Sequence, residues 1–465
     1  MARKTRRKSR QQPNGGGDKS RRTRSNVRTR SSTSIGGSRN KSRTVKSALL
    51  GKTVKLEITD MAQGGFAIAT HRGKRIFVPY TLPGESISAE ISEDRGSVIF
   101  ARGKDLYAAS ADRVSARCAH FGPGRCWGCQ FQHIDYQAQL LLKQDVLADQ
   151  LSRVGKLPDS LVDSVMRPLV PASEQWGYNH RLVLSRYSAG AWGLPRQAKG
   201  DIEALAECHT AHPDLMDTLG KLDIDYEQAR RLTLQRGSDG RIMIIFHVDE
   251  EEAPSLHTDL PLSINLVLPD NSPINLIGDP YSAVSVADHA IRITAGSYMR
   301  PNVGQIGTLA EEVMEALGLG GSEQVLDLYA GVGLFSAVMA ERAELISLVE
   351  SYPPAANDAE FNLREFDHID IVEGQVEAVL ADMTAKSARY DVALVDPPGS
   401  GINGGIVDSL LGLGVRRLVY VSGDPASLAR DCRRVIDAGF QLRSVQAVDM
   451  APQTFYITAV AAFER

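Results

Sequence analysis

Long apolar runs are missing from this chain: no stretch approaches about eighteen consecutive hydrophobic residues, and the first residues lack the apolar block of a secretory signal. That argues against a helical membrane span or a membrane partner and leads us to expect a cytoplasmic protein. Cysteine is scarce too, five in 465 residues, which is too few for a disulfide framework. Reduced thiols or metal ligands are expected instead. Acids are scarce at one end only. Residues 1–46 carry 16 Lys or Arg against Asp18 alone, a charge of +15 in a chain whose net charge is -3, so the remainder holds about −18. This segment also has few branched aliphatics, Val27, Ile35 and Val45, and cannot bury enough surface to offset its ordering entropy. A disordered basic tail is expected. Its arginines suit a phosphate backbone through counterion release, which makes RNA contact the preferred role over a mere aid to solubility.

What is present points to a globular chain: 43% of the residues are hydrophobic, enough for two or three domains. Residues 47–105 alternate polar and apolar side chains in short runs punctuated by Gly64-Gly65 and Pro83-Gly84, the pattern of a small antiparallel β-barrel. Lys74, Arg75 and Phe77 would place cations and an aromatic on one rim, a stacking-plus-phosphate arrangement, although an ordinary surface hairpin explains them equally well. In the central segment, 106–290, Cys118, Cys126 and Cys129 precede an amphipathic helix, and Cys208 follows in ECHTAHPDL. Four such thiols suit zinc or an iron-sulfur cluster, with His209 and His212 leaving a mixed zinc site open. Cys432 sits among Ala429, Val435 and Ile436 and reads as a core residue. The rest of this segment has an α+β pattern. Arg181, Arg186 and Arg196 are interleaved with Trp176, Tyr178, Tyr187 and Trp192, which fits either an RNA surface or a solvated sheet face.

Residues 291–465 are the most informative. EQVLDLYAGVGLFSAVMA is an apolar strand ending at Asp327, a turn at Gly331 and Gly333, then a helix; ELISLVE ends in Glu350. This is how a doubly wound sheet takes an adenosine group, the glycines admitting the ligand and the acid accepting the ribose hydroxyls. A third strand ends in Asp396-Pro397-Pro398, and a fourth, RRLVYVSGDP, runs to Gly423. The third glycine of the dinucleotide fingerprint is absent, so S-adenosylmethionine (SAM) fits better than NAD.

Together, ITDMAQGGFAIA and RIFVPYTLPGE in the barrel, the cysteines at 118, 126, 129 and 208, DLYAGVG, the VE at 349 and 350, DPP and YVS…LARD resemble the bacterial RNA uracil-C5 methyltransferase family. The resemblance runs from about residue 47 to the end. It implies a class I (Rossmann-like) α/β methyltransferase domain, an N-terminal TRAM or OB-like barrel and an α+β central domain. It also implies a monomer with rRNA or tRNA as substrate, a [4Fe-4S] cluster rather than zinc on the four cysteines, and SAM contacts at Tyr329, Glu350, Gln375 and Asp396, with Gly331 and Gly333 forming the turn.

Four departures stand out. The family's nucleophilic Cys is replaced by Gly423 and its base Glu by Thr458, in a closing motif that reads Tyr456-Ile457-Thr458. The Arg after DPP is Gly399, and a Gln of the family is Arg300. The covalent route needs a thiolate to add to uracil C6 and a base to take the C5 proton, and glycine supplies neither. Cys432 lies about 13 Å further along a helix at 1.5 Å per residue, too far to substitute. Two readings follow: an RNA methyltransferase acting on an atom that needs no covalent activation, or a catalytically silent RNA-binding factor.

Overall fold

The computed structural model describes residues 49–188, 191–196, 201–224, 226–250 and 254–465. The basic tail expected from the sequence lies outside them. The first five strands are β1 (Thr53–Ala62), β2 (Phe66–His71), β3 (Lys74–Pro79), β4 (Ser86–Asp94) and β5 (Ile99–Ala108). They close in the order β1-β2-β3-β5-β4 around Leu56, Ile76, Val78, Ile87 and Ile99, the inward half of each alternating pattern. The closure departs from an all-antiparallel barrel in one pairing: β3 and β5 run parallel at Ile76↔Ile99. A ring with an odd number of strands cannot alternate direction all the way round, so one parallel seam is a topological necessity.

Next come α1 (Tyr136–Arg153) and α2 (Asp159–Val165). The central sheet holds β6 (Arg181–Ser188), β7 (Ala191–Pro195), β8 (Ile202–Ala204), β9 (Ala229–Arg236), β10 (Ile242–Val248), β11 (Leu262–Val267) and β12 (Pro273–Ile277), in the order β12-β11-β10-β9-β6-β7-β8. Helix α3 (Pro213–Lys221) packs on it, and the hairpin β13 (Tyr281–Val286) and β14 (His289–Thr294) follows.

The third sheet contains β15 (Gln324–Leu328), β16 (Leu345–Glu350), β17 (Ile369–Glu373), β18 (Val392–Val395), β19 (Arg417–Ser422), β20 (Gln441–Val448) and β21 (Thr458–Glu464). Its order is β17-β16-β15-β18-β19-β21-β20, parallel from β17 to β19 and antiparallel at β21. Strands such as VALV and RLVYVS are buried on both faces, as helix-covered strands must be. Helices α4 (Ile306–Leu317), α5 (Leu334–Met339) and α6 (Pro353–Asn362) cover one face, and α7 (Val376–Ala385), α8 (Gly404–Gly412) and α9 (Pro425–Asp437) the other. Chain order reverses between β15 and β18, and in such sheets ligands bind at the strand ends beside that reversal.

Helix α1 packs on α9 and is anchored by a fully buried ion pair. Lys143 Nζ donates to Asp449 Oδ1 at 2.7 Å and to the Ala451 carbonyl, while Tyr136 donates to Asp449 Oδ2. Burial pulls the Lys143 ammonium below its usual range against the opposing pull of Asp449. Among the described residues, no helix is long and apolar enough to cross a membrane.

Candidate functional site

The glycine turn after β15 has the conformation its sequence requires. Tyr329, Gly331 and Gly333 take φ values of 60°, 58° and 79°, a left-handed run that is strained for the tyrosine and easy for the glycines. A Cβ on Gly333 would lie 2.9 Å from Leu363 Cδ1, so this glycine brings the turn down onto α6. A Cβ on Gly331 would meet nothing within 4 Å and would point into open space. Glu350 braces the turn: its Oε2 accepts from Gly331 N at 2.9 Å, and its Oε1 accepts from Ser351 N and Tyr352 N. Asp327 beneath is fully buried. Its Oδ2 takes the Ser336 hydroxyl at 2.7 Å, its Oδ1 has no partner, and burial pushes its carboxyl up to about 7. Gln375 is exposed at the N-terminal boundary of α7, with its side chain free of any capping bond.

Asp396, at the end of β18, is held by Arg300, whose Nη2 donates to Oδ2 at 2.6 Å. Their side chains are 13% and 22% exposed. Burial opposes the Arg300 charge, and Asp396 more than restores it, so the guanidinium is held above its ordinary range. The loop after DPP is fastened by the LARD segment of α9. Asp431 is fully buried and accepts from Ile402 N at 2.9 Å, the Tyr420 hydroxyl at 2.8 Å, and the Arg430 and Arg434 guanidiniums; Arg430 also reaches the Ser400 carbonyl.

Gly423 and Thr458, where the resemblance puts the family's nucleophile and base, lie at the same edge of the sheet. Ser422 pairs with Ala459 as the last pair between β19 and β21, so Gly423 follows the end of β19 and Thr458 opens the neighbouring β21. Gly423 is exposed, its backbone lies outside the left-handed region, and a Cβ there would meet nothing within 4 Å. Neither backbone nor packing demands glycine. Thr458 is buried. Asp424 caps α9 through Ser427 N and accepts from Gln63 Nε2 at 2.9 Å, a reach of 361 residues from the turn between β1 and β2. That turn also seats Gly65 against Gln130 and Phe455, so the barrel walls one side of this edge. The sequence reading missed Gln63. A polar residue in a glycine turn carries no local sign of such a partner.

The four thiols also converge. Cys118, Cys126, Cys129 and Cys208 line one cavity of about 220 Å³, together with Gln132 and Thr210. Burial pushes the Cys126 and Cys129 thiols up to about 11 and about 12. Among the described residues, no three His, Cys, Asp or Glu side chains are grouped so as to hold a metal ion. The thiol loop is joined to the closing motif: Gln130 N and Phe131 N donate to the Gln453 carbonyl, and Tyr178 donates to the Pro452 carbonyl. Cys432 is buried in the core, as read.

The arginine and aromatic alternation of 176–196 is largely structural. Tyr178 and Trp192 are buried, Arg186 donates to the Tyr226 carbonyl, and Arg196 pairs with Glu203, leaving Tyr187 the exposed ring on β6. On the barrel, Lys74 pairs with Asp94 and Phe77 packs on Phe100. A larger cavity, about 960 Å³, lies between the barrel and the thiol loop, lined by Phe100, Arg102, Lys104, Phe121 and His133 among others.

The strand order, the glycine turn and the acids at successive strand ends define the SAM-dependent methyltransferase fold, here preceded by a five-strand barrel. The solved structure of Pyrococcus abyssi tRNA (uracil-54, C5)-methyltransferase in complex with S-adenosyl-L-homocysteine superposes with a TM-score of 0.68, covering 88% of this chain and 100% of that one at 22% identity. No protein-family model matches the chain. An uncharacterised RNA methyltransferase of Streptomyces avermitilis is 31% identical over 430 residues, 89% of this chain and 99% of the relative. Another, from Halalkalibacterium halodurans, is 31% identical over 449 residues, 88% and 96% of the two chains. The chain belongs to this family of RNA methyltransferases.

Proposed function

We propose that the chain is a SAM-dependent RNA methyltransferase that has left the covalent uracil-C5 route and methylates an RNA atom already nucleophilic, such as a ring or exocyclic nitrogen or a ribose oxygen. The observation that carries this reading is at one strand-end edge: Gly423, open and without a side chain, just beyond β19, and buried Thr458 at the start of the neighbouring β21. Neither can add to C6 or take the C5 proton. An acceptor with its own lone pair needs only alignment with the methyl group, which the crevice supplies by positioning.

The residues present fit SAM. Gly331 leaves open space, the Asp327 Oδ1 is an unpartnered buried acceptor, and Glu350 retains lone pairs for ribose hydroxyls beyond its backbone bonds. When bound, SAM supplies an electrophilic methyl group. Tyr329, Gly331, Gly333, Glu350, Gln375 and Asp396 would hold it.

On the resemblance, the four thiols that line this cavity would hold a [4Fe-4S] cluster in place of zinc, each thiolate ligating one iron. Through Gln130, Phe131 and Tyr178 the cluster loop would hold the closing motif in place. The basic segment 1–46 adds a sequence-independent grip on RNA.

Calorimetry with SAM and mass spectrometry of nucleosides from a deletion strain test the reading. Binding together with loss of one modified nucleoside is expected. Binding with an unchanged nucleoside profile would make the chain a silent RNA-binding factor, and no binding at millimolar SAM would remove the enzyme reading. Anaerobically purified protein should be brown with iron and sulfide near about four each per chain; one zinc in a colourless protein overturns the cluster. Deleting residues 1–46 should flatten the salt dependence of RNA binding.

A further inference from the structure

We propose that Arg300 cancels the preference of the crevice for a cationic cofactor, so that this chain holds the neutral thioether S-adenosylhomocysteine at least as firmly as the sulfonium SAM. The inference rests on the cofactor reading above. Along the strand-end edge the order is Glu350 on β16, the glycine turn on β15, Asp396 after β18, Gly423 after β19 and Thr458 on β21. Adjacent strands lie about 4.8 Å apart, which puts Asp396 roughly 10 Å from Glu350. A ribose on Glu350 with its reactive end turned toward Gly423 must therefore carry its sulfur into the neighbourhood of Asp396.

A free carboxylate there would favour the sulfonium over the thioether, because opposite charges attract strongly where water is scarce. In this chain the carboxylate is not free. Arg300 donates to it at 2.6 Å, and both side chains are mostly buried. The pair presents no net charge to the sulfur. The resemblance puts a glutamine at position 300, and a neutral amide could not cancel Asp396. The replacement thus changes the charge beside the sulfur while leaving Asp396 in place. Of the other acids of this edge, Glu350 lies two strands from Asp396 at the ribose end and Asp424 caps α9, so Asp396 is the carboxylate placed beside the sulfur. A pocket of this kind releases its spent cofactor slowly and fills according to the ratio of the two forms.

Titration calorimetry of the full chain with SAM and with S-adenosylhomocysteine tests this, the ratio of the two affinities being the readout. Arg300→Gln should raise SAM relative to S-adenosylhomocysteine about tenfold, or about 1.4 kcal/mol. Arg300→Lys keeps the charge and should leave the ratio near that of the wild type. Asp396→Asn leaves the guanidinium unpaired and should shift the ratio the opposite way, which gives a second sign to check if Arg300→Gln does not fold. Unchanged ratios in Arg300→Gln and Asp396→Asn, with both ligands still bound, would overturn the inference. Failure of the wild type to bind either ligand would instead sink the cofactor reading, and this inference with it.

Discussion

A thiol introduced at position 423 is the sharpest probe of the proposed loss of the covalent route. A Cβ built there meets nothing within 4 Å and the backbone is not left-handed, so Gly423→Cys introduces neither clash nor strain. Replacing glycine in a compatible conformation stabilises by about 0.4–1 kcal/mol through the unfolded chain. The single variant should therefore melt within a few degrees of wild type, or slightly above it. Thr458→Glu differs, since Thr458 is buried at the start of β21. Enlarging it costs about 1–3 kcal/mol unless the carboxylate reaches the opening at 423. The assay is denaturing gel and mass analysis of each variant incubated with SAM and RNA carrying 5-fluorouridine, which traps a covalent adduct because its C5 fluorine cannot leave as a proton. Adduct formation by the double variant would show that a uracil-sized space survives with only its reactive groups gone. A large stability loss in Gly423→Cys alone would refute the reasoning that this position is open.

Removing Lys143 by Lys143→Met should strand the buried Asp449 carboxylate and destabilise by about 3–5 kcal/mol in denaturant titration, with the Asp449→Asn double variant recovering part of the loss. Gly333→Ala should lower stability most, because its Cβ would sit 2.9 Å from Leu363 in a left-handed backbone; Gly331→Ala, equally left-handed but facing open space, should cost less stability and also weaken SAM binding measured by calorimetry. Asp327, with its carboxyl at about 7 when folded against 3.8 as its ordinary value, is protonated over a wider range in the folded state. Its contribution is fully present below about pH 4 and lost as pH rises through about 7, so Asp327→Asn should flatten the melting profile between pH 5 and pH 8.

Local pattern made much of this legible. The glycine turn, the acids at strand ends, the alternating barrel strands and the run from β19 into α9 are all short-range signatures, since a strand's period, a left-handed glycine and a helix cap are set by neighbours in the chain. The four thiols were readable as a set because cysteine is rare in this chain. The arginine and aromatic alternation left two readings open for the opposite reason. Alternation reports which face a residue takes, not the partner it meets there: Arg186 is engaged by the Tyr226 carbonyl 40 residues away, and Arg196 by Glu203 across the next strand.

The sequence alone determined the class of cofactor site and the absence of a nucleophile at 423, because both depend on which atoms a residue has. Tertiary structure alone decided what surrounds that absence. Arg300 meets Asp396 across 96 residues, Lys143 meets Asp449 across 306, and Gln63 meets Asp424 across 361. Gly423 and the start of β21 at Thr458 share one edge only because β21 inserts antiparallel beside β19. The first of these pairings sets the charge at the strand-end edge, the second anchors α1, and the third ties the barrel to the turn after β19. They follow from strand order and burial, which no period along the chain encodes.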